Sequence, residues 1–148
     1  MNLTGVFLCM RAEIPQLLEQ GGGAIVNTSS AGGLKGFPGA SAYVSAKHGV
    51  IGLTKTAALE YATHGIRINA VCPGVVDTEM TAQFTQDDPS TTEQLLDVEP
   101  VHRFGTPAEI ADAVVWLLGS GLVRHRACAR GRWRSTRRLS SRGGRLCL

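Results

Sequence analysis

The stretch that decides the fold is A-I-V-N-T-S-S, residues 24–30. It begins with a short apolar run that includes β-branched residues, and such a run is typical of a strand buried on both faces. A second run of this kind, I-R-I-N-A-V-C at residues 66–72, is stopped by Pro73 and Gly74. Because strands buried on both faces belong to parallel sheets, the two runs predict a parallel sheet.

Helical patterns alternate with these strands. Residues 3–20 repeat apolar side chains at helical spacing, and residues 21–23, all glycine, end the helix because glycine tolerates a left-handed cap. A second helix is predicted at about residues 42–63, and the capping box T-P-A-E at residues 106–109 begins a third. Residues 79–104 are polar and predict a loop with short helices. This alternation implies parallel crossovers and an α/β fold.

Charge divides the chain into two unlike parts. Residues 1–123 hold all 12 acidic residues, whereas residues 124–148 hold nine of the 15 basic residues, every one an arginine. The formal net charge of +3 therefore describes neither part. We predict a folded domain over residues 1–121 and an arginine-rich tail over residues 122–148.

Composition also excludes several classes of protein. No uninterrupted apolar stretch reaches about 18 residues, so we expect no membrane span. The four cysteines form no C-x-x-C pair, which argues against a zinc site or a disulfide framework and favours a reduced, cytoplasmic chain.

Tyr43 and Lys47 are the first candidates for chemistry. They are four residues apart near the start of the second predicted helix, so both project from one face. A lysine ammonium beside a phenol favours the phenolate, at roughly 1.4 kcal/mol for each pKa unit. Such a tyrosine can act as a general acid and base on a hydroxyl or carbonyl group. Taken alone, the pair is better explained as two exposed residues of a surface helix.

The surroundings of this pair change that interpretation. Ser29 and Ser30 end the first strand at its carboxyl edge, where open α/β sheets bind ligands. A loop rich in glycine and serine, residues 29–41, then leads to Tyr43, thirteen residues after Ser30.

Five motifs in this order carry a resemblance. They are N-L-T-G-V-F (2–7), A-I-V-N-T-S-S (24–30), Tyr43 with Lys47, N-A-V-C-P-G (69–74) and R-F-G-T-P-x-E-I-A (103–111). Over about residues 2–119, the chain resembles the classical short-chain dehydrogenase/reductase family. The resemblance implies a partial Rossmann-like fold with a doubly wound parallel sheet. It also implies alcohol oxidation or carbonyl reduction with NAD or NADP.

The resemblance implies roles for matching residues. Tyr43 would exchange the proton, Lys47 would assist it and bind the nicotinamide ribose, and Ser30 would hold the substrate oxygen. Asn2 matches an asparagine that supports a water-linked proton relay. The residues implied to line the nicotinamide are Pro73, Gly74, Val76 and Thr78. Simpler structural readings are a turn cap for Ser30 and helix N-caps for Asn2 and Thr78, while Ser29 is expected to be structural.

Two parts of the family pattern are not found. No G-x-G-x-x-G occurs in the sequence, so we expect the N-terminal dinucleotide-binding half of the fold to be absent and leave NAD and NADP undistinguished. The tail departs from the family from about residue 122. Codons chosen for residues 122–134 and read one nucleotide downstream yield S-F-V-T-G-H-A-L-A-V-D-G-G, which matches the family's last strand. We therefore hypothesise that the tail is out of frame or disordered.

Three functions compete on this evidence. The first is a nicotinamide-dependent oxidoreductase acting on a small alcohol or ketone, without a metal, and forming a dimer or tetramer of the family type. The second is an inactive remnant of the same family. The third, the least favoured, is a nucleic-acid-binding protein that uses the arginine-rich tail, although no recognition module accompanies that tail.

Overall fold

The computed structural model describes residues 2–86 and 88–119, together with the backbone of residues 128–130. The helices and strands, in chain order, are α1 (Thr4–Glu19), β1 (Gly23–Thr28), α2 (Ser41–Tyr61), β2 (Ile66–Cys72), α3 (Glu79–Thr85), α4 (Pro89–Asp97), α5 (Pro107–Leu118) and β3 (Cys128–Arg130). Short 3₁₀ helices lie at Ala31–Gly33 and Ala62–His64. The alternation of helices and strands confirms the predicted α/β class.

The sheet has the order β1-β2-β3 and is parallel throughout. Gly23 is paired with Ile66, and the register continues to Thr28 paired with Val71. Since parallel strands present their carboxyl ends at one edge, the segments after β1 and β2 leave the sheet side by side.

Helices cover both faces of the sheet. Ile25 and Ile68 point to the face on which α1 and α2 pack, where Met10 and Ala57 complete a buried cluster. Arg67 alternates with Ile68 and therefore points to the opposite face, where its guanidinium donates to the carbonyls of the last two residues of α5. This contact fastens the carboxyl end of α5 to β2.

Glycines end α1, as predicted. Gly21 and Gly22 have φ of +81° and +142°, and the Gly22 amide donates to the Leu17 carbonyl at 2.8 Å. A Cβ at Gly22 would lie 2.9 Å from the Gly65 carbonyl oxygen, so this corner has no room for a side chain. The corner sets the point at which β1 enters the sheet.

The strand β3 was not predicted from the sequence. Its backbone pairs with Ala70–Cys72 at the outer edge of β2. A strand edge offers unpaired backbone groups to any extended segment, so pairing there needs no apolar pattern. The rest of the predicted tail and its boundary at residue 122 lie outside the described residues, and so does the reading-frame hypothesis.

Among the residues that the structure describes, no helix is both long enough and apolar enough to cross a membrane.

Candidate active site

The site lies where β1 and β2 end. The Ser29 amide donates to the Val71 carbonyl at 2.8 Å, and the Ala31 amide donates to the Pro73 carbonyl at 2.7 Å. These bonds continue the pairing of the two chains beyond the strands. They bring Ser30 next to the segment that begins at Pro73.

Ser30 has both the geometry of a cap and the capacity of a donor. Its hydroxyl oxygen accepts from the Gly32 amide at 3.1 Å and caps the short 3₁₀ helix. A hydroxyl that accepts one bond through a lone pair still has its own hydrogen to donate. Ser30 is half-buried. The turn cap expected from sequence is therefore present, and it is compatible with contact to a substrate oxygen.

Lys47 and Tyr43 lie on one face of α2. The Lys47 Nζ is 5.7 Å from the centre of the Tyr43 ring and donates to the Thr28 carbonyl at 3.1 Å. Burial lowers the pKa of Lys47 below its ordinary value of 10.5, and the nearby Cys72 acts in the opposite direction. The ammonium is thus directed to the end of β1, two residues before Ser30.

Ser29 and Gly33 bring the loop against the turn of α2 that carries Lys47. The buried hydroxyl of Ser29 donates to the Lys47 carbonyl at 2.9 Å. A Cβ at Gly33 would overlap the Ser29 hydroxyl and lie 2.8 Å from the Lys47 carbonyl oxygen. The structural role expected for Ser29 is what this geometry shows. The lack of space for a side chain at Gly33 was not predicted, although a glycine-rich loop indicates that the loop backbone approaches a neighbouring element closely.

A Cβ at Gly32 would lie 3.1 Å from the ring of Tyr43. Tyr43 is 36% exposed, so it is held on one side by the loop and open on another. The two adjacent glycines thus let the loop approach both Tyr43 and Lys47.

A buried network of hydrogen-bonded side chains lies deeper under α2. The Asn27 amide donates to Thr54 Oγ1 at 2.8 Å and contacts Met10 Sδ at 3.2 Å. Thr54 in turn donates to the Val50 carbonyl at 2.7 Å. These hydrogen bonds were not predicted from the sequence, because Asn27 and Thr54 are polar residues within apolar patterns and are 27 residues apart.

The segment after β2 is held along one edge by Gly105. The Gly105 amide donates to the Val75 carbonyl at 2.9 Å, and the Asp77 amide donates to the Gly105 carbonyl at 2.8 Å. Backbone groups alternate in direction along an extended chain, so the amide and carbonyl of Val76 face the other side. Thr78 caps α3 by accepting from the Thr81 amide at 3.4 Å, which is the simpler of its two expected roles.

Asn2 precedes α1 and is exposed. The N-cap residue of α1 is Leu3, with no side-chain cap hydrogen bond, so the reading of Asn2 as the N-cap is wrong. A Cβ at Gly49 would lie 2.7 Å from Cδ2 of Leu3. The start of α1 therefore packs against α2, two residues after Lys47.

A group of exposed side chains in the excursion after β2 has a structural explanation. The ligand atoms of Glu93, Asp97 and His102 lie within 4.8 Å of one another. His102 Nε2 is 3.4 Å from Glu93 Oε1, an ion pair when the histidine is protonated. This contact explains the proximity of His102 and Glu93, and all three residues are exposed.

Comparison with known proteins assigns the family. A family model described as Enoyl-(Acyl carrier protein) reductase matches residues 1–122. The chain belongs to the short-chain dehydrogenase/reductase family. It is 49% identical over 118 residues to cyclohexanol dehydrogenase of Acinetobacter sp. (strain SE19), across 80% of this chain and 45% of that protein.

Other members of the family are similar to the chain over comparable lengths. The 3-oxoacyl-[acyl-carrier-protein] reductase FabG of Staphylococcus epidermidis is 47% identical over 116 residues, across 78% of this chain and 46% of that one. The crystal structure of levodione reductase superposes with a TM-score of 0.79 at 40% identity, over 88% of this chain and 54% of that chain. The structure of ElxO with NADP bound gives 0.78 at 35% identity, over the same shares. This chain spans about half the length of the curated relatives it matches.

Proposed function

We propose that this short-chain dehydrogenase/reductase interconverts a small alcohol and the corresponding carbonyl compound with NAD or NADP. The observation that carries the proposal is the position of the Lys47 Nζ. It lies 5.7 Å from the Tyr43 ring centre and donates to the carbonyl of Thr28, at the strand end that leads to Ser30. The ammonium thus lies near the Tyr43 ring and bonds the end of β1, two residues before Ser30.

In this mechanism Tyr43 exchanges a proton with the substrate oxygen. The phenol gives the proton during carbonyl reduction and takes it back during alcohol oxidation. The Lys47 ammonium lies beside this ring, 5.7 Å from its centre, and assists the exchange. Ser30 donates its hydroxyl hydrogen to the substrate oxygen and orients it toward Tyr43. Asn2 supports a water-linked path that replaces the proton.

The described residues fit the nicotinamide end of a dinucleotide. Gly105 holds one edge of residues 75–77, so the amide and carbonyl of Val76 face away from it. The carbonyl accepts from the Thr81 hydroxyl at 2.6 Å, and the amide suits the oxygen of a carboxamide. Pro73, Gly74 and Thr78 flank this position, and Lys47 would bind the ribose hydroxyls together with Tyr43. The cofactor, when bound, supplies or accepts the hydride. No glycine-rich phosphate motif occurs in this sequence, so the proposal covers the nicotinamide end only.

We propose that two copies of the chain associate through α1 and α2. Phe7 and Leu8 on α1 and Leu59 on α2 are large apolar side chains that are 48%, 52% and 54% exposed, and a second copy of the chain would cover them. Sedimentation of the purified chain tests this, and a monomer at all concentrations would refute it. A cytoplasmic location stays the prediction that the cysteine pattern made.

The central experiment uses the purified chain. NADH and NADPH are titrated while nicotinamide fluorescence is followed, and turnover of cyclohexanol and of cyclohexanone is measured at 340 nm. We expect saturable binding and turnover that Y43F abolishes. The matched control is Y61F, which removes the same hydroxyl from the last residue of the same helix. A chain that neither binds nor turns over refutes the proposal and supports the inactive remnant.

A further inference from the structure

The side chain of Glu99 reaches the segment that suits the nicotinamide. Its Oε1 accepts from the Val75 amide at 3.0 Å. The main chain of Glu99 is itself held, because its amide donates to the Leu96 carbonyl at 3.0 Å and its carbonyl accepts from the His102 amide at 2.8 Å. The carboxylate therefore extends from a fixed turn just after α4.

Gly74 is shaped by the same carboxylate. A Cβ at Gly74 would overlap Glu99 Oε1 and lie 3.0 Å from its carboxyl carbon. The φ of Gly74 is not in the left-handed region, and the atoms that a Cβ would meet all belong to the end of the Glu99 side chain, so a side chain here would displace the carboxylate and not the backbone. The absence of a side chain lets the carboxylate lie directly against the backbone.

Glu99 and Gly105 both bond the backbone of this segment. Gly105 bonds the carbonyl of Val75 and the amide of Asp77, and Glu99 bonds the amide of Val75. The carboxylate thus adds a third hydrogen bond to the two that Gly105 makes, at the residue that directly precedes Val76.

We propose that Glu99 is a positioning residue that couples α4 and its following turn to the nicotinamide-binding backbone at Val76. This inference rests on the proposed function for the identity of the ligand. When the carboxylate is in place, it holds the Val75 amide and so adds to the bond from the Thr81 hydroxyl to the Val76 carbonyl, at 2.6 Å, in fixing Val76 before the cofactor arrives. A change in the turn after α4 is then transmitted to cofactor binding through the Val75 amide.

The test compares E99A, E99Q and the control D112A, which removes an exposed carboxylate from α5. Hydrogen exchange of the Val75 amide is measured by NMR in the chain without ligand. We expect exchange to rise about ten- to a hundredfold in E99A, the range for loss of a hydrogen bond to a charged group. E99Q keeps an acceptor oxygen and restores most of the protection, and D112A leaves exchange unchanged.

Steady-state kinetics supply the second measurement. We expect E99A to raise the KM for the nicotinamide cofactor about tenfold with little change in kcat, and E99Q to recover most of it. A Val75 amide that exchanges equally in E99A and wild type refutes this inference alone. Faster exchange with an unchanged cofactor KM refutes the coupling to the cofactor. A wild-type chain that binds no cofactor refutes the proposed function and, with it, the coupling.

Discussion

Replacing Gly33 by alanine tests the close approach of the loop to α2. The new Cβ would overlap the Ser29 hydroxyl and lie 2.8 Å from the Lys47 carbonyl oxygen, about 0.6 Å inside the 3.4 Å at which ordinary contact begins. The second of these atoms is helix backbone, which cannot rotate away. Either α2 moves outward or the hydrogen bond from Ser29 to Lys47 breaks.

The matched control is Gly36→Ala in the same loop. A Cβ at Gly36 meets nothing within 4 Å, and its φ is not in the left-handed region. Gly36→Ala should therefore stabilise the chain by about 0.4–1 kcal/mol, because alanine restricts the unfolded state. Gly33→Ala gains the same amount but loses about 2–4 kcal/mol to overpacking and to the displaced hydrogen bond.

The two variants should thus differ by about 2–4 kcal/mol in the free energy of unfolding. Urea denaturation followed by circular dichroism measures this difference, provided that the slope with denaturant is the same in both variants. Equal free energies of unfolding for Gly33→Ala and Gly36→Ala would show that the loop does not approach α2 as described.

Three further variants test contacts elsewhere. Arg67→Met loses both hydrogen bonds to the end of α5 and should lower the free energy of unfolding by about 1–3 kcal/mol in urea; an unchanged midpoint would contradict the contact. The Arg103 guanidinium, and then the Thr106 amide, lower the pKa of Glu109 to about 2. A lowered carboxyl pKa stabilises the fold above the ordinary value of 4.5 and loses this effect as pH falls toward 2, so the stability advantage over E109Q should shrink across that range. Because burial lowers the pKa of Lys47, the unfolded chain binds more protons just below pH 10.5, and wild type should gain stability relative to K47M as pH rises through that window. A difference from K47M that is flat with pH would argue against burial of the ammonium.

Much of the fold could be predicted from local signals. The helix expected at residues 3–20 is Thr4–Glu19, and the strand expected at residues 66–72 has those bounds. The capping box is present with both of its hydrogen bonds at Thr106. Hydrophobic periodicity, helix caps and helix-ending glycines each depend on residues close together in sequence, so they can be recognised without knowledge of tertiary contacts. The strand β3 could not be predicted in this way, because its formation depends on pairing with the edge of β2.

The sequence by itself determined the order of elements, the parallel sheet and the shared helical face of Tyr43 and Lys47, since each of these depends on spacing along one segment. Only the tertiary structure decided that Ser29 bonds the Lys47 carbonyl and that Glu99 bonds the Val75 amide. These partners are 18 and 24 residues apart, and they meet because the register of the sheet and the packing of α2 and α4 place their elements together. The pattern of residues within one helix or strand does not predict contacts between residues so far apart in sequence.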